Sequence, residues 1–288
     1  MYMKSWSSCC CPLAEGGFNI KEILSWNKAN LCKWLWRLLH PTDSLWALWH
    51  THYNLQHSQL WTAPISSHHS ESWRSILSVR DSLLKLYGNC LAADKILQQC
   101  STSAGHFLVC KMYDCLRPKF PIVRWAKTVW TAQALPKHSF ITALAAQTKL
   151  ATVDNLCKRG MYLVNWCVLC KQAGESHHHL FFKCPFSNSV WRGILGWMSL
   201  PGRSSTLRQE LLWCALRTKR KHWKACWFGC CLTATVYTIW QERNARIFSG
   251  KELSVPTLLH QIKFHVAVKI LDSKHSKEVL DHLTLIYA

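Results

Sequence analysis

Three cysteines and three histidines lie within the stretch CVLCKQAGESHHHLFFKC, which runs from Cys167 to Cys184. Cys167 and Cys170 have the Cys-x2-Cys spacing with which one tight turn presents two sulfurs to a single metal ion. Zn²⁺ prefers four tetrahedral thiolate and imidazole ligands, so Cys184 and one histidine can complete the set. The stretch predicts a zinc site, and spacing alone leaves its histidine open among His177, His178 and His179.

A site of three thiolates and one imidazole has no open coordination position, so it is predicted to be structural rather than catalytic. Three thiolates with Zn²⁺ also leave a formal charge of about −1 on the site. The metal is therefore not expected to attract phosphate groups. Any affinity for polyanions has to come from side chains elsewhere.

The charge balance of the chain favours polyanionic partners. Its 288 residues include 35 Lys and Arg against 15 Asp and Glu, a formal net charge of +20. Hydrophobic residues make up 49% and charged residues 17%, proportions typical of a folded protein rather than a disordered tail. Nucleic acid, RNA or DNA, is the expected partner, mostly through phosphate contacts. The most basic stretch is 203–224, with seven Lys or Arg and one Glu.

The cysteines and the apolar stretches bear on location. Sixteen cysteines follow an N-terminal stretch with no apolar signal region, so an intracellular, reducing compartment is expected and secretion is not. A nuclear location is expected from the charge and from the resemblance described below. Residues 225–240 are apolar but shorter than a membrane span requires, so a buried helix is predicted there and no membrane partner.

Apolar residues recur at helical spacing through most of the chain. Helices are predicted over 19–40, then from a cap at Thr42 or Asp43, then around Trp73–Tyr87. Residues 105–116 are predicted to begin as a strand and turn helical. Further helices are expected from Pro136 to a break near Thr148, over 152–159 with Gly160 after it, over 188–198, and as two or three helices in 225–288.

The residues around the cysteines carry a family resemblance. The segment PKHSFITALAAQTKLATVDNLCKRGMYLVNWCVLCKQAGESHHHLFFKCPFSNSVWRGILGW combines the cysteine knuckle with T-x-D-x-L-x-x-R-G before it and H-L-F-F-x-C-x-F-S-x-x-V-W across it. It resembles the reverse-transcriptase zinc-binding domain of plant non-LTR (LINE-type) retrotransposons. In that motif the metal-binding histidine directly precedes L-F-F, so the resemblance implies one structural Zn²⁺ held by Cys167, Cys170, His179 and Cys184.

Three further segments are similar to parts of the same polyproteins. WSSCCCPLAEGGFNIKEILSWNKANLCKWLWRLLHPTDSLWALW resembles the region that follows the polymerase core, and SAGHFLVCKMYDCLRP resembles the linker to the zinc domain. TVYTIWQERNARIF resembles an I-W-x-x-R-N-x-R-x-F element near the end of such proteins. The chain thus looks like the C-terminal portion of a retrotransposon protein.

Catalytic signatures are missing from the sequence. It contains no Asp-Asp pair of the kind that holds two metal ions in polymerases, no RNase H-like acidic set, no Gly-rich phosphate loop and no nucleophile motif. The expected function is therefore non-catalytic, zinc-containing nucleic-acid binding, derived from a reverse transcriptase. Two alternatives remain: a vestigial transposon-derived reading frame with no selected function, and a protein-interaction adaptor.

The predicted fold is mainly α with a small α+β portion, in which helical segments flank a compact Cys-Cys-His-Cys zinc module. The predicted domains are 1–88, a helical segment; 89–135, a linker; 136–200, the zinc-binding domain; and 201–288, a basic stretch with a helical tail. Two tryptophans, beside the knuckle and in the basic run, are candidates for base stacking. The candidate nucleic-acid contacts are Lys158, Arg159, Trp166, Lys171, Arg217, Lys219, Arg220, Lys221, Trp223 and Lys224.

Overall fold

The structure is a computed structural model that describes residues 5–40, 44–55, 58–161, 164–201, 206–217, 223–271, 277 and 280. Helices dominate the described residues. In chain order they are α1 (Trp6–Cys9), α2 (Ile23–Leu39), α3 (Leu45–Asn54), α4 (Glu71–Tyr87), α5 (Cys90–Gln99), α6 (Val109–Leu116), α7 (Ala126–Val129), α8 (Pro136–Ala146), α9 (Val153–Cys157), α10 (Pro185–Trp197), α11 (Leu207–Arg217), α12 (Trp223–Ser249) and α13 (Val255–Leu271).

The predicted mainly α fold is confirmed. Within the described residues, β structure amounts to one antiparallel bridge between Ser101 and Phe107. The strand predicted to begin at 105 is reduced to this bridge because α6 starts at Val109 and takes up the following residues. The cap predicted at Thr42 or Asp43 falls outside the described residues, and Ser44 is the N-cap residue of α3.

Residues 20–120 form one compact unit, which contains α2 to α6. The carboxylate of Glu22 caps α2 by accepting the backbone N–H groups of Leu24 and Ser25 at 3.0 and 2.7 Å. Arg80 is buried, and it donates to the backbone carbonyls of Leu60 and Ala63 at 2.8 and 2.6 Å. The apolar core of this unit includes Leu35, Trp73, Leu77, Leu97 and Met112.

Residues 1–19 and 121–288 form the second compact unit, which is built around α12. This helix packs against α7, α8, α10, α11 and α13 and is buried on most of its faces over its first two-thirds. Two of its buried threonines satisfy their own hydroxyls, because Thr233 and Thr235 donate to carbonyls one turn earlier at 2.9 and 2.7 Å. The interpretation of 225–240 as a buried helix holds. In the part of the chain that the structure describes, every helix is too short or too polar to cross a bilayer.

The segment before the cysteines folds largely as predicted. α8 ends at Ala146, and Thr148 follows it with a φ of 55°. The next helix is shorter than the predicted 152–159, because after Cys157 the chain tightens into i→i+3 turns that end at Gly160, whose φ is 71°. The predicted domain boundaries at 88, 135 and 200 stay predictions.

Candidate metal centre and its surroundings

The first two cysteines lie on a tight knuckle. Lys171 donates its backbone N–H to the carbonyl of Cys167 at 2.9 Å, and the N–H of Cys167 donates to the carbonyl of Ala173 at 2.8 Å. These two bonds close the turn that carries Cys170. Lys171 occupies the left-handed region with a φ of 54°, which lets the chain reverse immediately after the second cysteine.

The last two candidate ligands lie on a π-helical turn, His179–Lys183. The N–H of Cys184 donates to the carbonyl of His179 at 2.7 Å, which brings two residues five apart to the same side of the turn. The residues between them, Leu180, Phe181 and Phe182, are fully buried and anchor the turn in the core. Cys184 is also the N-cap residue of α10.

These two elements bring four donor atoms together. The sulfurs of Cys167 and Cys184 are 4.0 Å apart, and the sulfur of Cys170 is 3.3 Å from Nε2 of His179. All four donor atoms lie within 4.8 Å of one another. Tetrahedral Zn²⁺ with bonds of about 2.3 Å to sulfur and about 2.05 Å to nitrogen would separate two sulfurs by about 3.8 Å and sulfur from nitrogen by about 3.6 Å. The donor set and its spacing fit a zinc ion.

The three neighbouring histidines have different environments. His177 is buried; its Nε2 accepts the N–H of Leu150 at 3.1 Å, and its Nδ1 lies 3.2 Å from the hydroxyl of Thr152. Burial lowers the pKa of His177 to about 4, so the ring is neutral. Its two nitrogens contact the backbone of Leu150 and the side chain of Thr152, the N-cap residue of α9. His178 is exposed. Of the three, only His179 belongs to the donor cluster.

The thiols of Cys167 and Cys184 differ in acidity. The pKa of Cys184 is lowered to about 5, first because the Cys167 thiol donates to it, and then because the backbone N–H groups of Ser187 and Phe186 do so at the start of α10. The pKa of Cys167 is raised, because it donates that bond and because it is buried. A thiolate at Cys184 thus lies where the N-terminal amides of a helix stabilise negative charge. Metal binding would release the remaining thiol protons.

Comparisons with known proteins agree with this geometry. Residues 107–191 match the family model described as "zinc-binding in reverse transcriptase". Over these residues the chain is similar to the zinc-binding domain of reverse transcriptases. The match begins upstream of the predicted start at 136 and ends at Trp191, inside α10. It covers the knuckle and the π-helical turn that hold the donor cluster.

A relative in Arabidopsis thaliana carries the name "Putative ribonuclease H protein". It is 36% identical over 84 residues, which cover 28% of this chain. The matched part is 13% of the length of that relative. No solved structure matches the chain. What the comparisons identify is the zinc-binding domain, and no catalytic polymerase domain is found with it.

A buried ion pair fastens the zinc-binding domain to α12. Arg243 donates to the carboxylate of Glu175 at 2.8, 3.1 and 3.2 Å, and their side chains are only 3% and 0% exposed. Glu175 also accepts the N–H of Val153 at 2.8 Å, and Arg243 donates to the carbonyl of Ala151 at 3.2 Å. The two charges therefore form a well-satisfied network, in which loss of either partner would leave a buried charge.

A second arginine contacts the knuckle and the first turn of α10. Arg246 pairs with Glu242 at 2.7 Å and donates to the carbonyl of Leu169, between the two knuckle cysteines, at 3.3 Å. Its guanidinium lies 4.5 Å from the ring centroid of Phe186, in the first turn of α10. Arg243 and Arg246 together hold the knuckle against α12, and we call this set of contacts the arginine clamp.

The clamp was missed by sequence reasoning. TVYTIWQERNARIF was identified as a family element, but without a contact for its arginines. A signal was present, because residues at i and i+3 lie on one face of a helix and Arg243 and Arg246 have that spacing. The partner Glu175 could not be found this way, since 68 residues separate it from Arg243.

Two of the predicted nucleic-acid contacts near the knuckle are exposed lysines that form ion pairs. The Nζ of Lys158 lies 3.7 Å from Oδ2 of Asp154, and the Nζ of Lys171 lies 3.3 Å from Oε1 of Glu252. Arg159 is half-buried. Trp166 is 52% exposed and lines, with Lys171, a pocket of about 380 Å³.

Two other predicted contacts, Trp223 and Lys224, lie at the opposite end of α12. Trp223 stacks on Trp227 with centroids 5.9 Å apart, and the Lys224 ammonium is 5.4 Å from the Trp223 ring. At about 1.5 Å per residue, Trp223 is about 35 Å from Arg246 along the helix axis. The predicted contacts that the structure describes therefore form two separate groups. Arg217 is the last residue of α11, and the structure does not describe its side chain. Lys219, Arg220 and Lys221 lie outside the described residues.

Proposed function

We propose that this protein is a non-catalytic, zinc-containing nucleic-acid-binding protein derived from the reverse transcriptase of a plant LINE-type retrotransposon, and that it acts in the nucleus. The family match of 107–191 and the four-donor cluster carry the zinc part of this proposal. The net charge of +20 supports the nucleic-acid part. RNA and DNA are both candidates, because phosphate contacts do not distinguish them.

The proposed cofactor is one Zn²⁺ bound by Cys167, Cys170, His179 and Cys184. Bound there, zinc would supply cross-linking and no reaction chemistry, since four protein ligands leave no open position. The knuckle and the π-helical turn would then be joined at a single point. The arginine clamp supports the same role, because it fixes the knuckle to α12.

Surface side chains, rather than the metal, would supply the affinity for phosphate groups. A chain with this excess of Lys and Arg releases counterions when it binds a phosphate backbone, so affinity falls steeply with salt. An adaptor that binds other proteins through apolar helices would show a weak salt dependence. A vestigial chain would neither fold with zinc nor bind with a defined salt slope.

The test is a binding titration of the purified chain against single-stranded RNA, single-stranded DNA and duplex DNA over about 50–200 mM salt. Metal content is measured in the same preparations. The Cys167→Ser/Cys170→Ser variant is compared with Cys110→Ser/Cys115→Ser, which removes two exposed cysteines outside the cluster. We expect one zinc per chain and steeply salt-dependent binding in the wild type and the control variant. A wild-type chain that holds zinc but binds no nucleic acid would refute the proposal.

A further inference from the structure

A cleft lies near the N-terminal end of α12, away from the four donor residues of the metal centre. It has a volume of about 780 Å³, within the range of about 300–1,000 Å³ typical of ligand sites. Its walls are the segment 122–130, which includes α7, and the α11 residues Leu212, Ala215 and Leu216, with Leu13 and Ala14 at one side. The carbonyl of Ala14 accepts the N–H of Val123 at 2.8 Å and joins these parts.

The lining of this cleft combines apolar surface with positive charge. Trp130 is half-buried in it, and Ile122 and Leu216 are 78% and 59% exposed at its rim. Arg124 and Lys127 also line it, and neither forms an ion pair with another described residue. Among the described lining residues there is no carboxylate. A ligand that fits has a flat or apolar body and carries negative charge.

The pocket beside the knuckle is a weaker candidate for such a ligand. It also contains an exposed indole, that of Trp166, but its volume is only about 380 Å³. Its cation, Lys171, is paired with Glu252 at 3.3 Å, so a phosphate would have to compete with a carboxylate. Charge complementarity therefore favours the cleft between α7 and α11.

We propose that this cleft binds an unpaired nucleotide of a single-stranded nucleic acid, with the base against Trp130 and phosphates on Arg124 and Lys127. The inference rests on the proposed nucleic-acid-binding function and places its contact site away from zinc. Stacking on an aromatic ring beside a basic groove is the usual mode of single-strand binding. A duplex offers no unstacked base to the cleft, so single strands are bound more tightly than duplexes.

The cleft and the metal centre lie at different positions along α12. Gly229 contacts α7, since a Cβ added there would meet the carbonyl oxygen of Thr128 at 2.8 Å. Gly229 and Arg243 are 14 residues apart, which is about 21 Å along a helix. Changes in the cleft can therefore be made without touching the metal ligands.

The test measures fluorescence anisotropy of labelled oligonucleotides of about 16 nucleotides, the upper end of known site sizes. Arms of single-stranded RNA, single-stranded DNA and duplex are titrated at several salt concentrations with the zinc-loaded full chain. The Arg124→Ala/Lys127→Ala variant is compared with Lys149→Ala/Lys251→Ala, which removes two exposed positive charges of the same unit outside the cleft. The cleft variant should lose affinity about tenfold and reduce the salt slope by about 1.4, or about 0.7 for each lost phosphate contact. The control should keep the wild-type slope.

A second readout locates the base directly. Photocrosslinking with an iodouracil-substituted single strand, followed by peptide mass spectrometry, should label the peptide that contains Trp130. Equal losses in the cleft and control variants, or labelling confined to Trp166, would overturn the cleft assignment while wild-type binding keeps the proposed function. Tighter binding of duplex than of single strands would also overturn it. Absence of any wild-type binding would overturn both.

Discussion

The two ends of α12 differ in whether the nearby cations are paired with carboxylates. At its C-terminal end, Arg243 and Arg246 each pair with a carboxylate and hold the knuckle against α12. At its N-terminal end, the neighbouring cleft carries Arg124 and Lys127 without ion pairs among the described residues. Charge near the metal is thus used for structure, and charge near the cleft is available to a ligand.

This difference separates the metal donor cluster from the proposed binding surface. A cation paired with a carboxylate has its charge cancelled by its partner, whereas an unpaired surface cation attracts anions within a Debye length, about 8 Å at physiological salt. Conversely, a buried pair matters greatly for stability if one partner is removed. The same residue type therefore has different consequences at the two ends of one helix.

The largest expected effect is loss of the metal. His179→Ala removes a ligand, and the chain should lose its zinc and much of its stability, because structural zinc is worth about 10–16 kcal/mol in small zinc peptides. The matched control is His178→Ala, which changes an exposed neighbour outside the donor cluster. Metal content and thermal unfolding measure both variants. If the control lost zinc and His179→Ala kept it, the ligand assignment would be wrong.

The second effect concerns the clamp itself. Arg243→Met leaves Glu175 buried without its partner and should lower the free energy of unfolding by about 3–5 kcal/mol. Lys171→Ala removes an exposed pair instead and should cost less than about 1 kcal/mol. Urea denaturation of both variants, with zinc bound, decides the comparison. Equal costs would show that the clamp contributes no more than a surface ion pair.

The sequence was sufficient for features with a local signal. Knuckle spacing predicted the cysteines and left the histidine open, and the family resemblance implied His179. Helical periodicity predicted α2, α4 and α10. The role of His177 could not, because its partners Leu150 and Thr152 come into contact only through the fold. The cleft was missed too, although basic and aromatic residues alternate in VRWAKTVW, the stretch from Val123 to Trp130.

A third effect acts at the cleft end alone. Gly229→Ala places a Cβ 2.8 Å from the carbonyl oxygen of Thr128, so α7 and α12 must move apart at a cost of about 1–3 kcal/mol. Gly196→Ala is the control, since nothing lies within 4 Å of its Cβ and alanine favours a helix over glycine by about 1 kcal/mol. The two variants should shift the midpoint of thermal unfolding in opposite directions while both retain zinc. Zinc loss in Gly229→Ala would show that the two ends are coupled.

The smallest effect is a pH dependence midway along α12. His138 is buried against Tyr237, with ring centroids 4.4 Å apart, and its pKa is lowered to about 4 by burial first, then by His265 and Lys137. Because its ordinary pKa is 6.5, the unfolded chain binds a proton that the folded chain does not between pH 6.5 and about 4. Stability from this group is therefore complete above pH 6.5 and is lost as the pH falls towards 4.

His138→Gln cannot take up that proton, so its unfolding midpoint should fall less steeply over this range than that of the wild type. His178→Gln, which changes an exposed ring, should keep the wild-type slope. Thermal unfolding followed by circular dichroism at a series of pH values measures all three proteins. A wild-type slope in His138→Gln would mean that other groups dominate the acid sensitivity, with the buried ring of His177 next in line, since its pKa is also lowered to about 4.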